Sequence, residues 1–256
     1  MNSLPYVFLA LFGSVVASFG HVVGHRMGKG DSIIAPRSHC PYCHRFLRWY
    51  ELIPLFSWMV QRGRCRTCQR SIPIHYFLME CLACCFFPLF PSFVGWSPEL
   101  LVALSFLLFL LIISVSDLCY LIIPHRILLY FSILLGIERL FIPFDPWWLM
   151  VVGGAVGFFT LYLVLLVSKG GIGGGDVKLM GVVGLVLGWQ LVLLAIILAT
   201  FCGSLYVGIL LLFRQSVTKG MLLPFGPFLA IGSLAAYVMG DSLVTWYFST
   251  FLALLP

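Results

Sequence analysis

Long apolar runs separated by short polar breaks set the pattern of this chain. Residues 3–23 are apolar and carry no Lys or Arg, and a polar stretch of 24–75 follows. Apolar segments then recur from Tyr76 to about Val94, Leu100 to Ser116, Ile127 to Ile142, Leu149 to Val167, 177–213 and Phe228 to Leu252. Uninterrupted apolar runs of about 18 residues or more mark transmembrane helices. The short alternating segments of a membrane β-barrel are absent. The expected fold is therefore an all-α polytopic membrane protein. The run 177–213 has 37 residues, which at about 1.5 Å per residue supply roughly 55 Å. That is enough for two short crossings joined tightly near Gly188-Trp189-Gln190, or for a re-entrant hairpin. The count is about eight transmembrane helices, or six if 177–213 does not span fully. No internal repeat of useful strength is visible. The chain divides into a first helix (1–23), a cytoplasmic loop domain (24–75) and a transmembrane remainder (76–256).

Composition supports lipid as the solvent. Of 256 residues, 61% are hydrophobic and 9% charged, with a mean hydropathy of +1.08, against roughly 25% charged in soluble domains. The formal net charge is +6, and nine of the 15 Lys and Arg fall between Arg26 and Arg70. Such asymmetry fits the positive-inside rule and contact with anionic membrane lipid better than nucleic-acid binding, which is not expected. Positive charge follows the first apolar run rather than preceding it, the reverse of a secretory signal peptide. The first helix is thus expected to be uncleaved, with its N-terminus outside and the loop in the cytoplasm. Glu138 and Arg139 are expected to reach toward the outer interface, beside an outer turn, Pro143-Phe144-Asp145-Pro146-Trp147-Trp148, with interfacial aromatics. The basic turns Lys169/Lys178 and Arg214/Lys219 both belong inside.

The polar loop contains Cys40-Pro41-Tyr42-Cys43 and Cys65-Arg66-Thr67-Cys68. Two C-x-x-C pairs at this separation suit a tetrahedral four-cysteine zinc site, each pair gripping one side of the ion. Two disulfides are the competing reading, disfavoured in a reducing compartment. A closed four-thiolate site leaves no open position for substrate, so the metal is expected to be structural. His39 and His44 flank the first pair as substitute ligands. Cys81, Cys84, Cys85, Cys119 and Cys202 lie in apolar runs and read as small buried hydrophobes.

The second chemical feature is Gly170-Gly171-Ile172-Gly173-Gly174-Gly175-Asp176, set between two apolar segments. A glycine turn bends tightly and admits another backbone. A carboxylate at membrane depth reads as functional by default, although Asp176 could also simply cap the following helix. Asp117 ends the segment before Pro124, and counting crossings puts it on the same cytoplasmic side as Asp176. Two carboxylates at one face can split a peptide bond through a shared water. The ionised one takes a proton from the water and the protonated one donates to the carbonyl oxygen. Asp176, at a helix start, suits the anion, and Asp117, at a helix end, suits the acid. The unpaired backbone of the turn can also bind an extended substrate beside Asp176, with Gly173, Gly175 and Lys178 as the expected substrate-binding positions.

GGIGGGDVKLM resembles the G-x-G-D motif of aspartic intramembrane proteases, and its K-L-M narrows the resemblance to type IV prepilin peptidases, also called prepilin leader peptidase/N-methyltransferases. RSHCPYCHRFLRWYELIPLFSW, RGRCRTCQRSI, SDLCYLIIP and PFGPFLAIG occur in that family's order along most of the chain. One departure is His125, where the family often has Asp after the proline. The resemblance implies a bacterial cytoplasmic-membrane enzyme with catalytic aspartates matching Asp117 and Asp176, active at the cytoplasmic face without a metal in the proteolytic step. Its substrates would be prepilin or pseudopilin precursors, cut after Gly to remove a short basic leader. It is also similar to members that N-methylate the new terminus with S-adenosylmethionine, though no Rossmann fingerprint is present and no residue is assigned to that cofactor. The other functional class is an ion- or proton-coupled transporter using intramembrane carboxylates. Its expected mark, broken helices in two similar halves, is missing, because the halves do not resemble each other. A non-catalytic scaffold would leave both aspartates without a role.

Overall fold

A computed structural model describes residues 3–144, 146–169, 171–213 and 223–252. Asp145, Gly170 and the basic turn Arg214/Lys219 lie outside the described residues. The helices are α1 (Leu4–Lys29), α2 (Phe56–Val60), α3 (Ile74–Val94), α4 (Glu99–Tyr120), α5 (His125–Phe141), α6 (Leu149–Val167), α7 (Gly174–Leu212) and α8 (Gly226–Leu252), with one 3-10 turn at Trp49–Leu52. Six of them are long and apolar enough to cross a membrane. The 17-residue α5 is shorter and less apolar than these six, and α7 is divided as described below. The chain forms two compact units, Met1–Tyr120 and Leu121–Pro256.

In the first unit, α1 packs on α3 and α4. α1 does not stop at residue 23, where its apolar run ends. It continues through His25, Arg26 and Lys29 to Gly30, whose φ of 86° ends it with N–H bonds back to Arg26 and Met27. Charge therefore marks the edge of the apolar run, not the end of the helix, because Arg and Lys are good helix formers with apolar stems. Similarly, α3 runs through Pro88 and Pro91 to Val94. In a membrane, neighbouring helices make such prolines tolerable. α4 extends to Tyr120, and Asp117 sits within its last turn, at the helix end where it was expected.

In the second unit, α7 packs against α6, α8 and α5. The dihedrals of Gly188 (φ 75°, ψ 176°) break α7 into two limbs, 174–187 and 189–212. A side chain at Gly157 of α6 would collide with both the Met180 carbonyl and Val192. Those residues would stand about 18 Å apart along one straight helix. The chain must double back at Gly188, which makes α7 a helical hairpin. Its first limb is about 21 Å long, against a hydrocarbon core of about 30 Å. Gly188 and the start of the limb cannot both stand outside a bilayer of ordinary thickness.

The hairpin also explains Arg139. Glu138 and Arg139 do not reach outward as expected; both are buried. Ending the first limb at Gly188 strips its last carbonyls of their helical partners. Arg139 Nη2 donates to the Val186 carbonyl at 2.9 Å, and its guanidinium lies over the Phe144 ring, 4.4 Å from the centroid. The cation therefore caps the limb from a neighbouring helix. Arg139→Leu is expected to lower unfolding stability in detergent by roughly 2–3 kcal/mol, the worth of a buried bond from a charged donor. Arg139→Lys should recover part of it. An unchanged midpoint in both variants would exclude the capping role.

Candidate metal centre and candidate active-site aspartates

The four cysteines predicted from their spacing come together. Cys40, Cys43, Cys65 and Cys68 place their sulfurs within 4.8 Å of one another, with Cys40–Cys68 at 3.8 Å and Cys43–Cys65 at 3.9 Å. All four are free thiols, which removes the disulfide reading. Four sulfurs about 2.3 Å from a central zinc in a tetrahedron stand about 3.8 Å apart, so the donor set fits a closed metal site. His39 and His44 stack on each other instead, and His39 is 2.9 Å from the Arg37 carbonyl; neither joins the donor group.

The two knuckles, which share the pattern C-x-x-C-x-R at 40–45 and 65–70, repeat one another in backbone hydrogen bonding. The Cys40 and Cys65 amides donate to the Arg45 and Arg70 carbonyls, and the His44 and Gln69 amides donate back to the Cys40 and Cys65 carbonyls. Bridges at His39–Phe46 and Arg64–Ser71 close each loop. The residue after each second cysteine, His44 or Gln69, takes a left-handed φ of 54° or 56°. This tight geometry turns amides toward the sulfurs. The Cys68 amide is the main cause that draws the Cys65 thiol down to about 6.

Glu51 ties the knuckles together. Its side chain is almost wholly buried, with Arg45 bidentate at 2.7 and 3.1 Å, the Arg48 amide at 2.8 Å and Arg66 at 3.9 Å. The Arg45 bond is the chief cause holding this carboxyl below its ordinary value. Sequence reasoning passed over Glu51, because only the folded loop shows what a lone carboxylate among arginines faces.

Asp117 and Asp176 are both buried, at 6% and 8% exposure, although each lies near a helix end where a solvated carboxylate would cost least. Asp117 belongs to the last turn of α4 in the first unit. Asp176 belongs to the first turn of α7 in the second. Gly173, in extended conformation before α7, donates its N–H to Asp176 Oδ2 at 3.2 Å. Asp176 thus has a capping duty, and the Gly173 amide is engaged by it. Gly175 is glycine for a visible reason: a Cβ there would stand 2.9 Å from Ile123. Lys178 is exposed.

A further cluster in the first unit escaped the sequence reading. His21 is 2% exposed and its ring nitrogens have no hydrogen-bond partner among the described residues. It lies 3.7 Å from Tyr76 and 5.1 Å from His75 between ring centroids. The Tyr120 hydroxyl is 3.1 Å from the His25 ring, and Cys119 Sγ is 3.8 Å from His75 Nε2. Cys119 is therefore part of a polar contact rather than a plain hydrophobe. The available signal was the four-residue spacing of His21 and His25, which places both on one face of α1.

Residues 11–93 match the Bacterial Peptidase A24 N-terminal domain and residues 104–208 the Type IV leader peptidase family. The chain is 38% identical over 239 residues to a prepilin leader peptidase/N-methyltransferase of Bacillus subtilis (strain 168), covering 93% of this chain and 96% of that one. It is 30% identical over 290 residues to one of Aeromonas salmonicida (98% and 97%) and 32% identical over 283 residues to one of Stutzerimonas stutzeri (96% and 95%). The chain belongs to the type IV leader peptidase family. No solved structure matches it.

Purified protein should carry one metal per chain, and Cys40→Ser or Cys65→Ser should abolish it. Unchanged zinc content would reject this ligand set. Glu51→Gln keeps the four thiolates and is expected to weaken the metal by about 10–100-fold in chelator competition, as loss of an outer-shell partner does.

Proposed function

We propose that this chain is a bacterial membrane aspartic endopeptidase that removes the short basic leader of type IV prepilin or pseudopilin precursors after Gly, and N-methylates the new terminus. The observation that carries the reading is relatedness along nearly the whole chain to prepilin leader peptidase/N-methyltransferases. In this reading Asp117 and Asp176 act on one water. Ionised Asp176 takes a proton from it as the oxygen attacks the scissile carbonyl, and protonated Asp117 donates to the carbonyl oxygen. Collapse of the tetrahedral intermediate breaks the C–N bond, and the departing amine takes up a proton. The glycine turn around Gly173 and Gly175 and the exposed Lys178 are the substrate-side positions in this reading, although the Gly173 amide is already engaged by Asp176.

The four-cysteine centre is structural in this scheme. Zinc bound there would have all four positions filled by thiolate, leaving none for water or peptide, and would supply folding energy to a loop that lacks a core of its own. S-adenosylmethionine would supply the methyl group. The glycine turn joins α6 to α7 rather than a strand to a helix, so it is not a dinucleotide loop, and no residue is assigned to that cofactor. The N-terminus stands outside the cytoplasmic membrane and the aspartates face the cytoplasm, as the basic loop between α1 and α3 requires under the positive-inside rule. The functional division is a first membrane span (1–23), whose helix runs on to Lys29, a metal loop (24–75) and a peptidase region (76–256). The transporter alternative gains no supporting observation.

Co-expression with a pilin-like precursor tests the dyad. Asp117→Ala and Asp176→Ala should each slow leader removal by at least about 100-fold, the lower end for loss of an acid or base, with metal content unchanged. Full cleavage by either variant refutes the pair. The mass of the mature N-terminus reports methylation separately.

A further inference from the structure

The stretch 49–62 carries an apolar face that points away from the protein. It consists of the 3-10 turn Trp49–Leu52, a tight bend at Leu55 and α2. Leu55 has φ 62° and ψ −56°, and the Phe56 amide reaches the Pro54 carbonyl at 2.6 Å, a strained three-residue turn. Two contacts hold it to α3. The Leu55 amide donates to Glu80 Oε2 at 2.7 Å, and the Trp58 indole stacks on Phe77 with centroids 4.5 Å apart. Phe77 and Glu80 lie in the first two turns of α3, which begins at Ile74 and spans the membrane. The segment is thus fixed beside the point where a membrane helix enters the bilayer.

Within α2, Trp58 faces inward, against Phe77 and the backbone of Gly63. Phe56, Met59 and Val60 follow the i, i+3, i+4 spacing of the other helix face, and each is more than half exposed. Leu52 and Ile53 are exposed just before them, and Trp49 is 76% exposed. This reverses the pattern of a water-facing helix, whose outer face is polar. The ends are different: Arg48 and Arg62, both exposed, bracket the stretch. Apolar side chains with Trp at one edge and cations at the ends are the composition of an interfacial membrane segment. The exposed Ile74 and Leu78 of α3 continue the same apolar surface toward the bilayer.

We propose that 49–62 is an interfacial anchor. The outer face of α2 lies among the acyl chains near the headgroups, Arg48 and Arg62 pair with anionic phospholipid, and the metal knuckles are held at a set height on the membrane surface. The proposal is independent of the aspartate dyad.

The test uses the full chain in vesicles of phosphatidylethanolamine and phosphatidylglycerol, with photoreactive benzoylphenylalanine replacing Phe56, Met59 or, as a lipid-facing reference, Leu82 of α3. Metal content of each variant verifies the loop. After irradiation, lipid adducts at Phe56 and Met59 should match those at Leu82 within a few-fold. The Phe56 yield should fall several-fold when phosphatidylcholine replaces phosphatidylglycerol. Lipid adducts at Leu82 with none at Phe56 and Met59 would overturn the anchor. So would adducts to a precursor peptide or a second copy of the chain alone. Equal Phe56 yields in the two lipid mixtures would overturn the anionic partner.

Discussion

Hydrocarbon offers no hydrogen bonds, so polar groups inside this chain are stabilised by partners within the protein. That constraint accounts for most of what its few interior charges do. Arg139 is placed where a helix break strands the Val186 carbonyl. Glu80, buried on α3, receives the Leu55 amide from the loop. Asp176 receives the Gly173 amide at the start of α7. Each charge fixes a place where regular helix ends or bends, because such places are where backbone groups lack partners.

The loop between α1 and α3 solves a different problem. It is too short and too polar to bury a core, and its four clustered cysteines are a donor set that an ion could close in place of that core. Glu51 links the knuckles through Arg45 and Arg66, so the four-cysteine cluster is tied to the 3-10 turn that precedes α2. With the Glu80 and Trp58 contacts, the loop becomes a rigid extension of α3 rather than a tether. A loop fixed in this way can hold a surface at constant depth, which a flexible one cannot.

The legible parts of the sequence were those with a strong period or spacing. Leu149–Val167 was readable to the residue, since an outer aromatic turn and the glycine turn bound it on both sides. The cysteine pairs were readable because metal geometry dictates ligand type and separation. Gly188 was readable as a joint because 37 apolar residues are too many for one crossing. The end of α1 was misplaced, since the helix runs on beyond its apolar run. Arg139 was misread because its partner carbonyl exists only once the chain doubles back. The histidine cluster of α1, α3 and α4 was not found, because its members are distant in sequence and each alone is unremarkable among apolar residues.

The sequence by itself determined the solvent of this protein, the four cysteines that come together and the two carboxylates singled out for chemistry. Those follow from local composition and spacing, which lipid and metal ions constrain tightly. Only the tertiary structure decided which polar groups are satisfied and by whom: Glu51 by Arg45, Glu80 by Leu55, Val186 by Arg139. It also decided that the outer face of α2 is apolar. The physical reason is that hydrogen-bond partners and exposed faces depend on distances between residues far apart in the chain. About the glycine turn, the structure added that Gly173 already caps through Asp176 and that Gly175 is kept small by Ile123.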